Sequence, residues 1–209
     1  MDFTSLIELG PIQTNLTELI AVIFGLLSVW FMKKESILAF PFGIINVSGY
    51  VYLSLQKDFY ALAGINVFFA MMSIYGWYNW SRQGENHEGL SISRCNKHQL
   101  SLYLLAFALF FVIIWWLLKK FTDSPIPMWD SFTTSLYIIA MWMLAKKKIE
   151  NWIAWIIGDT VSIFLYAIPY GNNQANLFSS LQFLIFTIIA VSGFLEWRGK
   201  LLKASGDAG

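Results

Sequence analysis

Residues 151–168 read NWIAWIIGDTVSIFLYAI, and one helical face of this stretch carries Trp152, Trp155, Asp159, Ser162 and Tyr166. The steps between them are three, four, three and four, the spacing that stacks side chains along one side of an α-helix. The rest of the stretch is apolar and of a length to span a bilayer. An Asp in the middle of such a helix costs roughly 2.5–3.5 kcal/mol on insertion scales, so it marks a functional position. Asp159 lies about 12 Å from the start of the stretch at the rise of an α-helix, near mid-bilayer. A carboxylate beside indoles suits a flat organic cation, through charge pairing and cation–π attraction. The pattern predicts a membrane transporter for such a molecule.

The composition agrees. The chain has 209 residues, 57% hydrophobic and 13% charged, with a mean hydropathy of +0.57. A soluble domain carries about 25% charged residues. Eighteen Phe, ten Trp and nine Tyr fit interfacial belts and a pocket for a flat ligand. A net charge of +1 gives no global field for nucleic acid. With Cys95 as the one cysteine, neither an intramolecular disulfide nor a cysteine metal site is open to the chain. His87 and His98 fall in one polar loop without metal-ligand spacing. No HExxH, Walker A loop or buried Ser–His pair occurs, so no enzyme, cofactor or metal is predicted. The start, MDFTSLIELGPIQTNLTEL, lacks a basic residue before its apolar part and does not read as a cleaved signal peptide.

Hydropathy places seven spans, at 17–32, 37–55, 59–80, 100–118, 129–145, 151–168 and 175–197. Residues 1–16 are expected as an interfacial helix or a tail. Of the Lys and Arg residues, three (Lys57, Lys119, Lys120) fall on the side of the N-terminus. The other eleven, from Lys33 and Lys34 through Lys146–Lys148 to Arg198, Lys200 and Lys203, fall on the opposite side. The positive-inside rule puts the N-terminus outside and the C-terminus in the cytoplasm.

A weak internal repeat organises the spans. Glu18 and Trp30 are matched by Asp130 and Trp142; Val47, Ser48 and Tyr52 by Val161, Ser162 and Tyr166; Gly76 and Trp80 by Gly193 and Trp197. The offset drifts from 112 to 114 to 117. The chain then divides into an extracytoplasmic segment (1–16), a three-helix repeat (17–80), a cytoplasmic loop with a linker helix (81–128), a second three-helix repeat (129–197) and a cytoplasmic tail (198–209). Parallel repeats of this kind hold substrate at their interface near the midplane.

Other residues join the candidate site. Asn46 and Tyr50 share a face of the second span, where Pro41 is a candidate hinge. Asn66, in the third span, reads equally as helix–helix glue or ligand contact. Thr134 is a deeper candidate in the fifth span, whereas Asp130 reads as a first-turn carboxylate. Gln182 is the best polar donor and acceptor of the seventh span. Within the opening face, Trp152 and Tyr166 also read as interfacial anchors, and Asp159 as a structural partner of a neighbouring helix.

FGIINV (42–47), SIYGWYNW (73–80), MWDS (128–131) and ENWIAW (150–155), in this order and over residues 17–198, resemble the PnuC family of vitamin transporters. The resemblance implies an all-α integral membrane fold, seven transmembrane helices in a SWEET-like 3+1+3 arrangement, assembled as homotrimers. It implies uptake of nicotinamide riboside across the bacterial inner membrane by facilitated diffusion, with a cytosolic kinase trapping the product. It also implies that the tryptophan pair of the sixth span, here Trp152 and Trp155, belongs to the binding site. The chain departs from the family pattern at Asn66, where Gln is expected, and at Asp159, where Asn is expected. Similar proteins carry thiamine, another planar aromatic cation whose aminopyrimidine suits a carboxylate. A membrane scaffold or sensor, and proton-coupled transport through Asp159, are the rival readings.

Overall fold

The computed structural model describes residues 6–9, 12–56, 59–82, 90–169 and 176–206. These residues hold a two-stranded hairpin and seven α-helices. The chain divides into two compact units, 1–91 and 92–209.

The first unit opens with β1 (Leu6–Leu9) paired antiparallel to β2 (Ile12–Asn15). For residues 6–9 and 12–15 the expected interfacial helix or tail is therefore corrected to two paired strands; residues 1–5, 10 and 11 lie outside the described residues. Alternating residues flank Gly10-Pro11, and both residue types favour turns. β2 runs straight into α1 (Leu16–Lys33), where the Asn15 side chain accepts the Glu18 N–H at 2.8 Å. That caps one of the orphan donors of the first turn. α2 (Ala39–Gln56) packs on α1 and on α3 (Tyr60–Ser81). Pro41 lies in the first turn of α2, where the missing N–H has no intrahelical partner to lose. The helix continues through it, so the expected hinge at Pro41 is not supported.

The second unit begins with α4 (Lys97–Phe121), started by a capping box between Asn96 and Gln99. α4 packs on α5 (Pro127–Ala145), α5 on α6 (Asn151–Ala167), and α6 on α7 (Leu177–Gly206). The linker helix thus belongs to the second unit, and α7 runs on through residues 198–206. α1, α4 and α7 are each long and apolar enough to cross a membrane. Much of α4 is bare: Leu104, Leu105, Leu109 and Val112 are all more than half exposed.

The two units share local construction, at an offset of 112 over the first two helices of each repeat and 117 in the third. Glu35 and Lys147 both adopt a left-handed backbone, with φ of 57° and 47°. Glu35 N–H donates to Met32 O and Ser36 N–H to Phe31 O; Lys147 N–H donates to Leu144 O and Lys148 N–H to Met143 O. These are the paired bonds of a left-handed helix cap, and each residue maps onto its counterpart at 112. The offset holds into the next helix. Phe40 packs edge-on to Trp80 at 5.0 Å, and Trp152 edge-on to Trp197 at 5.4 Å. Phe40 lies against Gly76 as Trp152 lies against Gly193. Val47 therefore corresponds to Asp159, not to Val161, and the 114 step read from sequence falls away.

Candidate functional site

On α6 the predicted face divides into a packing half and a polar half. Trp152 is 1% exposed, with Trp197 and the bare backbone of Gly193 against it. Asn151, fully buried, donates through Nδ2 to the Lys148 carbonyl at 2.6 Å. Both Glu150 carboxylate oxygens lie within 3.1 Å of the Cys95 N–H that they accept. Ser93 bridges the same turn, donating to Lys147 O and accepting from Ile149 N–H. The first three residues of ENWIAW are thus architectural: they fasten the start of α4 to the start of α6 and wedge α6 against α7. The Trp152 indole is thus packed between α6 and α7 in this structure, with its Nε1 buried and unpartnered among the described residues.

Glu150 also governs Cys95. Burial, and the carboxylate that accepts and faces the thiol, push its pKa up to about 12; Lys148 opposes this.

One turn further along α6 the surroundings change. Gly158 leaves the helix backbone bare, and the Tyr137 ring of α5 lies on it; a Cβ there would stand 2.5 Å from Cε1. From this seat the Tyr137 ring stacks on Trp155, with centroids 5.2 Å apart and planes 25° apart. It is parallel to Phe183 of α7 at 6.4 Å, and Phe183 in turn stacks on Tyr166 at 5.4 Å. Trp155, Tyr137, Phe183 and Tyr166 form a ladder of near-parallel rings drawn from three helices. The phenol oxygen of Tyr137 lies 2.8 Å from Ser162 Oγ, and the Asp159 carboxyl is close enough to interact with it. Asp159 and Ser162 are each 3% exposed. Among the described residues no cationic side chain pairs with Asp159.

The structure therefore brings together Trp155, Asp159, Ser162 and Tyr166 around a residue that sequence reasoning missed. Tyr137 stands three residues after Thr134, on the same face of α5. It is a phenol deep in an apolar helix, and that was the available signal. Phe183, next to the buried Gln182, offered none. Thr134 is half-buried. Asp130 accepts from Ser124 Oγ at 2.6 Å in the first turn of α5, in keeping with its reading as a first-turn carboxylate.

The first-unit candidates are otherwise engaged. Asn46 Nδ2 donates to the Ala21 carbonyl at 2.7 Å, tying α2 to α1. Asn66 Nδ2 donates to Leu62 O of its own helix at 2.8 Å. Each amide thus gives one of its N–H donors to backbone. Tyr50 is half-buried. At the offset of 112, Tyr137, Trp155, Asp159 and Ser162 correspond to Gly25, Gly43, Val47 and Tyr50. The carboxylate and its stacked rings have no counterpart in the first repeat.

The nicotinamide mononucleotide transporter family model matches residues 15–199. The chain belongs to this family. The resemblance drawn from the four short motifs is thereby borne out, and the chain is a multi-pass membrane transporter rather than an enzyme. Among relatives, the nicotinamide riboside transporter PnuC of Escherichia coli is 28% identical over 214 residues, 90% of this chain and 87% of its own. The riboflavin/roseoflavin transporter RibM of Streptomyces davaonensis is 24% identical, over 87% of this chain and 84% of its own. The crystal structure of the vitamin B3 transporter PnuC matches with a TM-score of 0.73 at 24% identity, covering 90% of this chain and 82% of that one. That likeness shows the fold.

Proposed function

We propose that the α5–α6–α7 cluster binds a planar aromatic cation of the vitamin class, with nicotinamide riboside as the best candidate. The observation that carries this reading is the buried Asp159 carboxylate. It stands beside stacked rings with no cationic side chain paired to it among the described residues. A charge out of water asks for a partner, and a pyridinium ring supplies both the charge and a face to stack. Trp155 stacks on that ring, Asp159 balances it, and Ser162, Thr134 and Gln182 read its polar edges.

In this reading the vitamin is taken up by facilitated diffusion across the bacterial inner membrane, and a cytosolic kinase consumes it. The seven helices are a 3+1+3 parallel repeat of the SWEET-like kind that alternates between outward and inward openings. The N-terminus is outside and the C-terminus cytoplasmic, supported by the eleven-to-three distribution of Lys and Arg. Assembly as a homotrimer belongs to the same reading, by the family resemblance. Thiamine is the alternative substrate, favoured by the carboxylate at 159 and its fit to an aminopyrimidine.

Titrating purified protein with nicotinamide riboside and with thiamine, read by tryptophan fluorescence, tests the site. Asp159→Asn should weaken binding by about 10- to 100-fold, the worth of a hydrogen bond to a charged group, with the melting temperature largely kept. Unchanged affinity in that variant removes Asp159 from the site. Liposomes that accumulate no labelled vitamin would favour a scaffold or sensor. Accumulation that follows an imposed pH gradient would favour proton coupling.

A further inference from the structure

We propose that Tyr137 is a resident occupant of the binding site, a side chain that holds the place of the substrate and must leave before substrate binds. This rests on the reading of Asp159 and Trp155 as the substrate's partners. Three observations converge on it. The Tyr137 ring already covers Trp155, near-parallel at 5.2 Å, so the stacking face that a flat ligand needs is taken. Its hydroxyl already bonds Ser162 at 2.8 Å, within interaction range of the Asp159 carboxyl, so the polar side of the site is engaged as well. And the ring has a made-to-fit seat, because Gly158 carries no side chain and any Cβ there would strike it.

The three-helix frame does not require this arrangement. At the same places the first repeat has Gly25 for Tyr137 and Asn46 for Gly158, yet it shares the left-handed cap and the ring wedge. Tyr137 satisfies a buried carboxylate while the transporter is empty, when an unpartnered charge would be costly. A ligand must displace that hydroxyl to reach Asp159. The measured affinity is then the intrinsic affinity reduced by the fraction of molecules in which Tyr137 has swung aside. Such a device keeps binding modest, which release into the cytoplasm needs.

The test compares full-length wild-type protein, Tyr137→Phe and Asp159→Asn, titrated with nicotinamide riboside by tryptophan fluorescence and followed by stopped flow. Phe keeps the ring and its stacking but drops the hydroxyl. Losing one net hydrogen bond from the occupied state should lower Kd about tenfold. In wild type, the observed binding rate should level off at high vitamin concentration, at the rate with which Tyr137 vacates, and this plateau should rise in Tyr137→Phe. A merely structural tyrosine moves neither quantity in that direction. Weaker or unchanged binding by Tyr137→Phe, while Asp159→Asn binds poorly, overturns the occupant and leaves the site reading standing. Equal binding by wild type and Asp159→Asn, or none by wild type, overturns both.

Discussion

Adding one methyl group at Gly193 asks whether Trp152 is locked in the core or free to meet a ligand. An Ala Cβ there would lie 2.8 Å from Cη2 and Cζ2 of Trp152 and 2.9 Å from Cε2. Ordinary contact begins at 3.4 Å, so the indole must retreat by about 0.6 Å, the difference between these distances. It has little room to do so, because Trp197, fully buried, stands edge-on at 5.4 Å. Overpacking of this kind costs about 1–3 kcal/mol. At roughly 2–4 °C per kcal/mol for a chain of this length, the apparent Tm of Gly193→Ala in detergent should fall by several degrees. In a Trp152→Phe background the far ring atoms are gone, and the same Ala should cost less than about 0.5 kcal/mol, a coupling within the range for residues in contact. The Kd for the vitamin should change less than about twofold if both side chains serve packing alone. A neutral Gly193→Ala, or an equal cost in both backgrounds, would refute the packing role and return Trp152 to the ligand.

Three further expectations follow from the same geometry. Trp155→Ala should weaken vitamin binding by about 1–3 kcal/mol if the indole stacks on the ring, whereas Trp152→Ala should instead lower stability by about 3–5 kcal/mol; parallel melts and titrations separate the two. Asn46→Ala should cost about 1 kcal/mol of stability through its lost bond to Ala21 O without moving Kd. The Cys95 thiol, pushed up to about 12 by burial and Glu150, should alkylate slowly at pH 8, and Glu150→Gln should speed the reaction. Because the native thiol holds its proton more tightly than an ordinary one at 9.0, its contribution to stability is whole below that pH and is lost as pH rises toward 12.

The helices were legible because their apolar runs are long and their breaks are punctuated by Lys pairs, Pro or Gly-Asn stretches. The hairpin was not, since Leu6–Asn15 is too short for periodicity to outweigh its apolar character. On α6 the three–four spacing found Trp155, Asp159, Ser162 and Tyr166, because side-chain direction along a helix is fixed by geometry. The same rule could not distinguish Trp152, on that face but opposite Gly193, from Trp155, on that face but opposite Tyr137. What stands across from a residue is a property of helix packing. For that reason Tyr137 and Phe183, each one aromatic among several on its own helix, did not stand out. The repeat was readable in outline, but its register had to be fixed by the left-handed residues Glu35 and Lys147.

A duplicated frame that bears its recognition groups in one copy alone has a stoichiometric meaning. Gly43 and Val47 leave α2 without the indole and the carboxylate that Trp155 and Asp159 give α6, so on the proposed reading of the site each polypeptide offers one docking place. Saturation should come at a single equivalent per chain along a plain hyperbola, with no cooperativity inside the chain for the symmetry of its halves to generate.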